Sequence, residues 1–373
     1  MGCGRCGVLR RHVAWRVRTA IGVMAAGVLM VVTVSAAHAG AWTMDPLAPL
    51  TGPQSQVSGD GILYTDACVP ATDWCMALGV DDTYGLNRQV TLDEIYTNGT
   101  WTRAPGPPGF RHYIPTAEAC PSTTYCMTIG SGSAAIWNGA SWSAVRSPSV
   151  RVALQAVSCH ATTCVATGVR GRLDTPVAVL WQNGVERRIA APIAGLDPQS
   201  VYCGTASRCI AVGDYLCPES GRCPRPRPFA ESWNGRRWSA MKGADTSRNA
   251  VDQLSCLSLR WCLGVGGHHV TRWNGREWTA VRSRPSSSSG LISCATTTSC
   301  EAVGSTTSPT DRNDTVATAS HWDGQSWTSE PVPDGNAVDA QLRAVSCPSA
   351  SFCTAVGDYG RDLQSPVAES WQG

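Results

Sequence analysis

The chain has 373 residues, of which 30 are Lys or Arg, 28 are Asp or Glu and 43% are hydrophobic. This near-neutral balance gives no support for nucleic-acid binding or for a basic membrane-binding surface. Eighteen cysteines are typical of an exported protein with disulfide bonds.

Residues 1–39 are predicted to be a secretion signal peptide. Basic residues precede an apolar run from Ala20 to Val34, and Ala37-His38-Ala39 fits a small-residue cleavage site. The apolar run, at about 15 residues, is short for a membrane span. His-Val-Ala-Trp follows Arg10-Arg11, which favours general secretion over the twin-arginine route. We therefore expect a secreted, extracellular protein without membrane attachment. Its mature part has 25 basic and 28 acidic residues, a net charge of −3.

Residues 40–373 contain seven similar units. Each unit has an apolar run that ends at a cysteine, a short turn, a second apolar run that opens with a cysteine, and a third run that ends in an aromatic residue. Six steps from Cys68 to Cys347 cover 279 residues, a mean of 46.5, which suits one four-stranded propeller blade. The sequence therefore predicts an all-β fold: a single seven-bladed β-propeller domain with four-stranded blades.

A turn motif with two tryptophans follows the third run and indicates a fourth strand. Its clearest copies are Trp137–Trp142, Trp233–Trp238, Trp273–Trp278 and Trp322–Trp327. Asn-Gly and Asp-Gly are strong hairpin signals, because both central positions of the favoured two-residue turn take positive φ. We therefore expect tight hairpins between the third and fourth strands.

The seventh unit stops at Trp371-Gln372-Gly373, before any fourth strand. Joining these residues to Gly40-Ala41-Trp42 regenerates the turn motif across the two ends of the mature chain. We therefore predict that an N-terminal strand completes the last blade and closes the ring. Closure would remove exposed strand edges that invite aggregation.

The sixteen cysteines beyond the signal fall into close sequential pairs, which predicts local disulfides. The pairs are Cys68–Cys75, Cys120–Cys126, Cys159–Cys164, Cys203–Cys209, Cys217–Cys223, Cys256–Cys262, Cys294–Cys300 and Cys347–Cys353. The alternative is metal binding, but the spacing is five to seven rather than CxxC, and no histidine pair recurs with it. We expect no metal site and no cofactor.

The string AVSC, five residues, Cys, AVGD and later WNG resembles repeats in secreted propeller proteins of high-GC Gram-positive bacteria, over nearly all of the mature chain. The turn motif also resembles the Asp box of sialidase-type propellers. Gly324 and Trp327 keep the spacing of that box, but Asp323 is adjacent to Gly324 instead of one residue removed. In that family the box is structural, so the resemblance implies a fold without an activity.

The loops that join strands two and three vary most between units, and in a propeller they lie on the face that usually takes the ligand. Variation on one rim of a rigid scaffold favours a recognition surface. The candidate ligand-binding residues are Asp81, Tyr84, Arg88, Arg172, Asp214, Tyr215, Arg222, Arg225, Asp358, Tyr359 and Arg361. The equal alternative is that these loops are only solvated, with Asp214 and Asp358 accepting turn hydrogen bonds.

Three functions agree with these patterns. The first is a monomeric, non-catalytic scaffold that binds an extracellular glycan or protein partner. The second is a sialidase-like glycoside hydrolase or lyase, and the third is a structural envelope protein. Glu94, Glu231 and Glu369 share one repeat position, which favours a structural role over catalysis. Adjacent His268 and His269 point to opposite faces of a strand, which argues against joint chelation.

Overall fold

The computed structural model describes residues 40–48, 61–83, 88–110, 114–130, 132–146, 152–171, 175–192, 196–215, 229–244, 251–266, 269–286, 290–333, 338–361 and 364–373. For residues 82, 83, 88, 89, 196, 215 and 229 it describes the backbone alone. Contacts divide the chain into Met1–His38 and Ala39–Gly373, and all described residues belong to the second unit. Within the described residues, no helix has the length and apolar character needed to cross a membrane.

The described residues form 28 strands. Strands β1 to β13 are Ala41–Asp45, Gly61–Cys68, Cys75–Thr83, Arg88–Thr97, Thr100–Arg103, Pro115–Ser122, Tyr125–Gly130, Ser133–Trp137, Trp142–Ala144, Val152–His160, Thr163–Arg170, Thr175–Gln182 and Val185–Ile189. Strands β14 to β28 are Leu196–Thr205, Arg208–Tyr215, Phe229–Trp233, Trp238–Ala240, Gln253–Ser258, Trp261–Gly266, His269–Trp273, Trp278–Val281, Leu291–Thr296, Ser299–Thr307, Thr315–Trp322, Trp327–Glu330, Gln341–Ser349, Phe352–Tyr359 and Ser365–Gln372.

These strands form seven four-stranded antiparallel sheets, so the predicted propeller is confirmed. Six blades take four consecutive strands each, beginning with β2 to β5 and ending with β22 to β25. The seventh has the order β1-β28-β27-β26. In it, Trp42 on β1 lies opposite Trp371 on β28, which confirms the predicted ring closure.

The first strands of the blades surround the central axis. They are β2, β6, β10, β14, β18, β22 and β26, and each contacts the next in a closed circle. The remaining strands of each blade follow outward in sequence, except that β1 is outermost in blade seven. Side chains that face the axis therefore come from seven distant parts of the sequence.

Seven disulfides join the first and second strands of the described blades, one in each. In blade three, Cys159 and Cys164 are direct cross-strand partners with Cα atoms 4.0 Å apart. Each bridge closes a short loop, so the chain-entropy model assigns it about 2 kcal/mol. The eighth predicted pair, Cys217 and Cys223, lies outside the described residues.

The turns between third and fourth strands are of two kinds, and the sequence predicted only one. Asn183-Gly184 in blade three has positive φ at both residues, 51° and 78°, as expected. In blade two only Gly139 of the Asn-Gly pair has positive φ. There the side chain of Asn138 accepts hydrogen bonds from the backbone N–H groups of Ala140 and Ser141. The prediction of two positive φ values was wrong for this longer turn, because the asparagine side chain supplies the stabilising contacts.

A glycine four residues after the second cysteine occurs in every blade. These residues are Gly79, Gly130, Gly168, Gly213, Gly266, Gly304 and Gly357. In five blades the glycine pairs with the residue just before a β-bulge in the first strand. A Cβ atom at Gly357 would overlap the carbonyl oxygen of Gln341, and one at Gly79 would overlap that of Ile62. Glycine is therefore required where the bulged strand approaches its neighbour.

The recurrent tryptophans connect neighbouring blades. The indole N–H of Trp142 in blade two donates to Asp93 Oδ2 of blade one at 2.6 Å. Trp238 in blade four donates to the carbonyl oxygen of Ala190, beside blade three, at 2.7 Å. Both indoles are buried in apolar clusters that combine two blades. They act in packing and alignment, as their fixed repeat positions indicate.

The repeated glutamates, like the recurrent tryptophans, are buried within the blades. Glu94, Glu231 and Glu369 are each at most 2% exposed within a blade. Glu94 pairs with Arg103 on the adjacent outer strand. This pairing fits the interpretation of a repeat feature rather than a catalytic one.

Candidate functional site

A cavity of about 250 Å³ lies on the propeller axis and is lined by all seven first strands. Its wall is predominantly polar. Cavities of this size can hold a side chain or several ordered water molecules. This cavity, the axial channel, is therefore the candidate binding site.

The β-bulges direct one layer of side chains into the axial channel. The five residues at the bulges are Tyr64, Thr116, Gln155, Gln199 and Arg343. All five carry hydrogen-bonding groups. Gln155 Oε1 is buried and has no hydrogen-bond partner among the described residues. The bulge glycines thus place a layer of donors and acceptors around one cavity.

A second layer lies two residues before the first cysteine of each pair. In five blades this position is apolar, and its residues are Val157, Val201, Leu254, Ile292 and Val345. In blades one and two it is acidic, with Asp66 on β2 and Glu118 on β6. The axial channel therefore has one acidic wall, close to the disulfide end, and an apolar wall around the rest of the same layer.

Protein surrounds the two carboxylates of the acidic wall. Asp66 Oδ2 accepts a hydrogen bond from Thr354 at 2.7 Å, and Glu118 Oε2 accepts one from Thr65 at 3.0 Å. Burial raises the pKa of both carboxyl groups well above the usual range. Both side chains are only half-buried and line the axial channel, which makes this effect smaller than full burial would. A cation in the channel would favour the ionised forms.

Asp93 lies behind the acidic wall at the boundary of blades one and two. Burial raises its pKa to about 7, while the hydrogen bond from Trp142 favours the ionised form. The negative charge of Asp93 also raises the pKa of Glu118. The charges of both Asp93 and Asp66 therefore raise the pKa of Glu118, in addition to its burial.

On the other side of Tyr64, Arg343 connects the axial channel to the predicted rim. Its guanidinium group pairs with Asp358 and lies 5.6 Å from the ring centroid of Tyr64. Asp358 is only 1% exposed, and burial raises its pKa despite the neighbouring arginine. This predicted ligand-binding residue therefore orients a channel residue and does not face solvent itself.

Two other predicted residues lie near the end of the same strand. Arg361 forms ion pairs with Asp339, at 3.1 Å, and with Asp314 of blade six. Tyr359 packs on the apolar cluster between blades six and seven. The structure thus places both residues against blades six and seven, where they make local contacts.

Asp214 and Asp81 lie at the ends of the second strands of blades four and one. Burial and the charges of Asp252 and Asp197 raise the pKa of Asp214 to about 6. Asp81 lies opposite Gly61 and is half-buried. The acidic group around Asp214 is on a different part of the ring from Arg343, so the two do not form one site.

The remaining predicted site residues are not described in full. Tyr84, Arg172, Arg222 and Arg225 lie outside the described residues, and for Arg88 and Tyr215 only the backbone is described. Their role in binding stays a prediction.

Sequence reasoning missed the axial channel residues. Their signal was present, since Asp66 and Glu118 interrupt a repeat position that is otherwise Val, Leu or Ile. The signal becomes interpretable only once the position is known to face the axis.

No protein-family model matches the chain, and no curated protein matches it. Solved structures do share its fold. A structure described as YCF48 bound to D1 peptide has a TM-score of 0.56 and 10% identity, covering 90% of this chain and 97% of that chain. YCF48 from Cyanidioschyzon merolae has a TM-score of 0.53 and 12% identity, covering 89% of this chain and 98% of that chain. At these identities the likeness shows the propeller fold alone.

Proposed function

We propose that this protein is a secreted, non-catalytic propeller that binds a protein partner. The partner binds on the face that carries the variable loops between second and third strands, and one of its basic side chains enters the axial channel. The observation that carries the proposal is the polar bulge layer above an acidic wall formed by Asp66 and Glu118. An extended basic side chain matches both layers, because its stem can pass through the bulge layer while its charge meets the carboxylates of the acidic wall.

The charge balance of the axial channel supports a cationic group. Arg343 is already paired with Asp358, whereas neither Asp66 nor Glu118 has a cationic partner in the ion pairs of the described residues. A buried carboxylate without a cationic partner is destabilising, so a cation at the acidic wall would offset part of that cost. A similar propeller has been solved with a bound peptide, which supports a peptide-sized ligand for this architecture.

Secretion is part of the proposal. The predicted signal over residues 1–39 and the seven disulfides of the described blades support an oxidising compartment. N-terminal sequencing of protein recovered from the medium should begin at Gly40. Recovery of the uncleaved chain in the cells would contradict this part of the proposal.

The arrangement of the channel carboxylates favours binding over glycoside hydrolysis. Hydrolysis needs two carboxyl groups on opposite sides of a sugar, about 5 to 10 Å apart. Among the described residues that line the axial channel, the acidic pair is on neighbouring first strands at the disulfide end. Such a pair acts on one side of a ligand.

The proposal is tested by screening the purified protein against arrays of basic, acidic and neutral peptides and against a glycan array. We expect selective binding to peptides with Lys or Arg, and about a tenfold loss in the double variant Asp66→Asn, Glu118→Gln. The matched control is Glu277→Gln, which removes an exposed carboxylate on an outer turn. A second variant lacks Leu216 to Pro228 and tests the rim. Binding that is confined to glycans, or unchanged in the double variant, would overturn the proposal.

A further inference from the structure

Three metal-ligating side chains meet at the seam between blades six and seven. Glu301 on β23, His321 on β24 and Glu330 on β25 each offer a ligand atom, and the three atoms lie within 4.8 Å of one another. Glu301 Oε1 is 2.5 Å from His321 Nδ1. Glu301 and His321 are direct cross-strand partners, so the sheet itself sets their spacing.

The interior of this seam leaves one carboxylate atom without a partner. Glu301 is only 1% exposed, and its Oε2 atom is buried with no hydrogen-bond partner among the described residues. Within the described residues, no Lys or Arg forms an ion pair with Glu301 or Glu330. A buried carboxylate without full compensation costs several kcal/mol. The seam therefore has the charge and the vacant ligand atom that a cation would satisfy.

Packing does not require charged residues at these repeat positions. In blade two the equivalent residues are Met127, Ile136 and Val145. In blade seven they are Thr354, Ser370 and Asp45. There, hydroxyl donors satisfy the carboxylates, because Ser370 donates to Asp45 at 2.9 Å and Thr354 donates to Asp66. The same positions in blade six are also polar, but among the described residues no Ser or Thr hydroxyl donates to Glu301. Blade six differs from blade seven in this respect.

Blade seven covers the three side chains. The ring of Trp371 stacks on that of His321, with centroids 5.6 Å apart and an angle of 11° between the planes. The indole N–H of Trp42 donates to Glu330 Oε2 at 3.1 Å. These contacts hold His321 and Glu330 in place, as outer-shell groups do in metal sites.

From these contacts we infer that Glu301, His321 and Glu330 form a binding site for a divalent transition-metal ion, Zn²⁺ being the best match to two carboxylates and one imidazole. Zn²⁺ bonds such ligands at about 2.0–2.2 Å and takes four of them, so water would supply the fourth. The ion would take the Nδ1 lone pair of His321, and the proton held between His321 and Glu301 would leave to solvent. It would tie together the second, third and fourth strands of blade six, where Trp42 and Trp371 of blade seven pack against them.

Among the described residues, the two other clusters of metal-ligating side chains do not fit this role. Asp66 and Glu118 each lie beside two cysteines, but those cysteines are bonded to each other as disulfides and offer no thiolate. The inference at the seam does not depend on the proposed function of the axial channel.

The experiment uses the full protein purified without a polyhistidine tag, stripped with EDTA and kept free of reductant. Equilibrium dialysis against Zn²⁺ should give about one tightly bound ion per chain, and saturation should raise the Tm by about 5 °C. Co²⁺ should give visible absorption bands of a low-coordinate site. His321→Asn should abolish all three effects. His269→Asn, which changes an exposed histidine of blade five, should leave them intact.

Two outcomes would overturn the inference. One is a stripped wild-type protein that takes up no stoichiometric Zn²⁺. The other is His321→Asn binding Zn²⁺ as the wild type does. If His321→Asn does not fold, Glu330→Gln replaces it, because Gln keeps the volume and the acceptor for Trp42 while weakening metal affinity at least tenfold.

Discussion

Trp42 and Trp371 are cross-strand partners, although 329 positions separate them in the sequence. Trp371 is fully buried and Trp42 is 5% exposed. The pair joins the first described strand to the last one, so the closure of the ring depends on a few residues at the N-terminal end of the propeller.

Trp42→Ala should therefore destabilise the whole propeller. The substitution removes a buried indole and its hydrogen bond to Glu330, and we expect a loss of about 3 kcal/mol in the free energy of unfolding. Chemical denaturation followed by circular dichroism measures this change. Met44→Ala is the control, because Met44 is 42% exposed on the same strand and should cost little. Equal losses in the two variants would argue against a closing role for Trp42.

Gly357→Ala should be more harmful than an ordinary glycine substitution in a strand. The new methyl group would overlap the backbone of Gln341, so the bulge must shift and stability should fall by about 2 kcal/mol or more. Gly171→Ala separates this effect from backbone strain, because Gly171 has a φ of 73° but open space around it. It should cost about 1 kcal/mol. The comparison fails if Gly171→Ala costs as much as Gly357→Ala.

Asp93→Asn should remove a part of the pH dependence of stability. The pKa of Asp93 in the folded protein is raised from 3.8 to about 7. Its stabilising contribution is therefore fully present below about pH 4 and is lost as the pH rises toward 7. Asn can still accept the hydrogen bond from Trp142. We expect the variant to equal the wild type near pH 4 and to exceed it at pH 8 by about 1–3 kcal/mol.

The check is urea denaturation of both proteins from pH 4 to pH 8. Asp323→Asn is the control of opposite sign, since backbone hydrogen bonds lower the pKa of this exposed carboxyl group. The stabilising contribution of the Asp323 carboxylate is present above the ordinary pKa of 3.8 and is lost only as the pH falls below that value. Between pH 4 and pH 8 the difference in stability between the wild type and Asp323→Asn should therefore stay nearly constant. A constant difference between wild type and Asp93→Asn across the range would contradict the raised pKa.

Basic peptides should bind more tightly as the pH rises. The pKa values of Asp66 and Glu118 are raised by burial, and a protonated carboxyl group attracts a cation weakly. Affinity measured calorimetrically between pH 5 and pH 8 should therefore increase with pH. The double variant Asp66→Asn, Glu118→Gln should bind weakly with a flat profile. A profile that falls with pH in the wild type would count against cation binding in the axial channel.

The propeller could be predicted from the sequence because its signals are local. Each cysteine pair brackets one hairpin, and each Asn-Gly turn joins two adjacent strands. Every blade can therefore be identified from a segment of about 47 residues. The closure was predictable because the two-tryptophan motif is split between Gly373 and Gly40.

The axial channel could not be predicted in the same way. Asp66 and Glu118 belong to different units, and the sequence of either unit does not show that both side chains face the propeller axis. The seam at Glu301 and His321 is similar, since their partner Glu330 follows after an intervening turn. Variation between loops predicts the rim residues, but in the structure Asp358 pairs with Arg343 and Arg361 pairs with Asp339. These pairs join side chains that are 15 and 22 positions apart, and a single sequence does not show that such side chains meet.

The bonding of β1 to β28 also has a consequence for protein engineering. Gly40 and Gly373 both lie against the indole ring of Trp371, so in a gene designed without residues 1–39 a linker of a few residues could join them without disturbing a strand. The polypeptide could then be opened between any two blades, and a permuted gene would begin with a different sheet. In such a molecule the two chain ends would meet at a different position in the ring, and any blade could be the first.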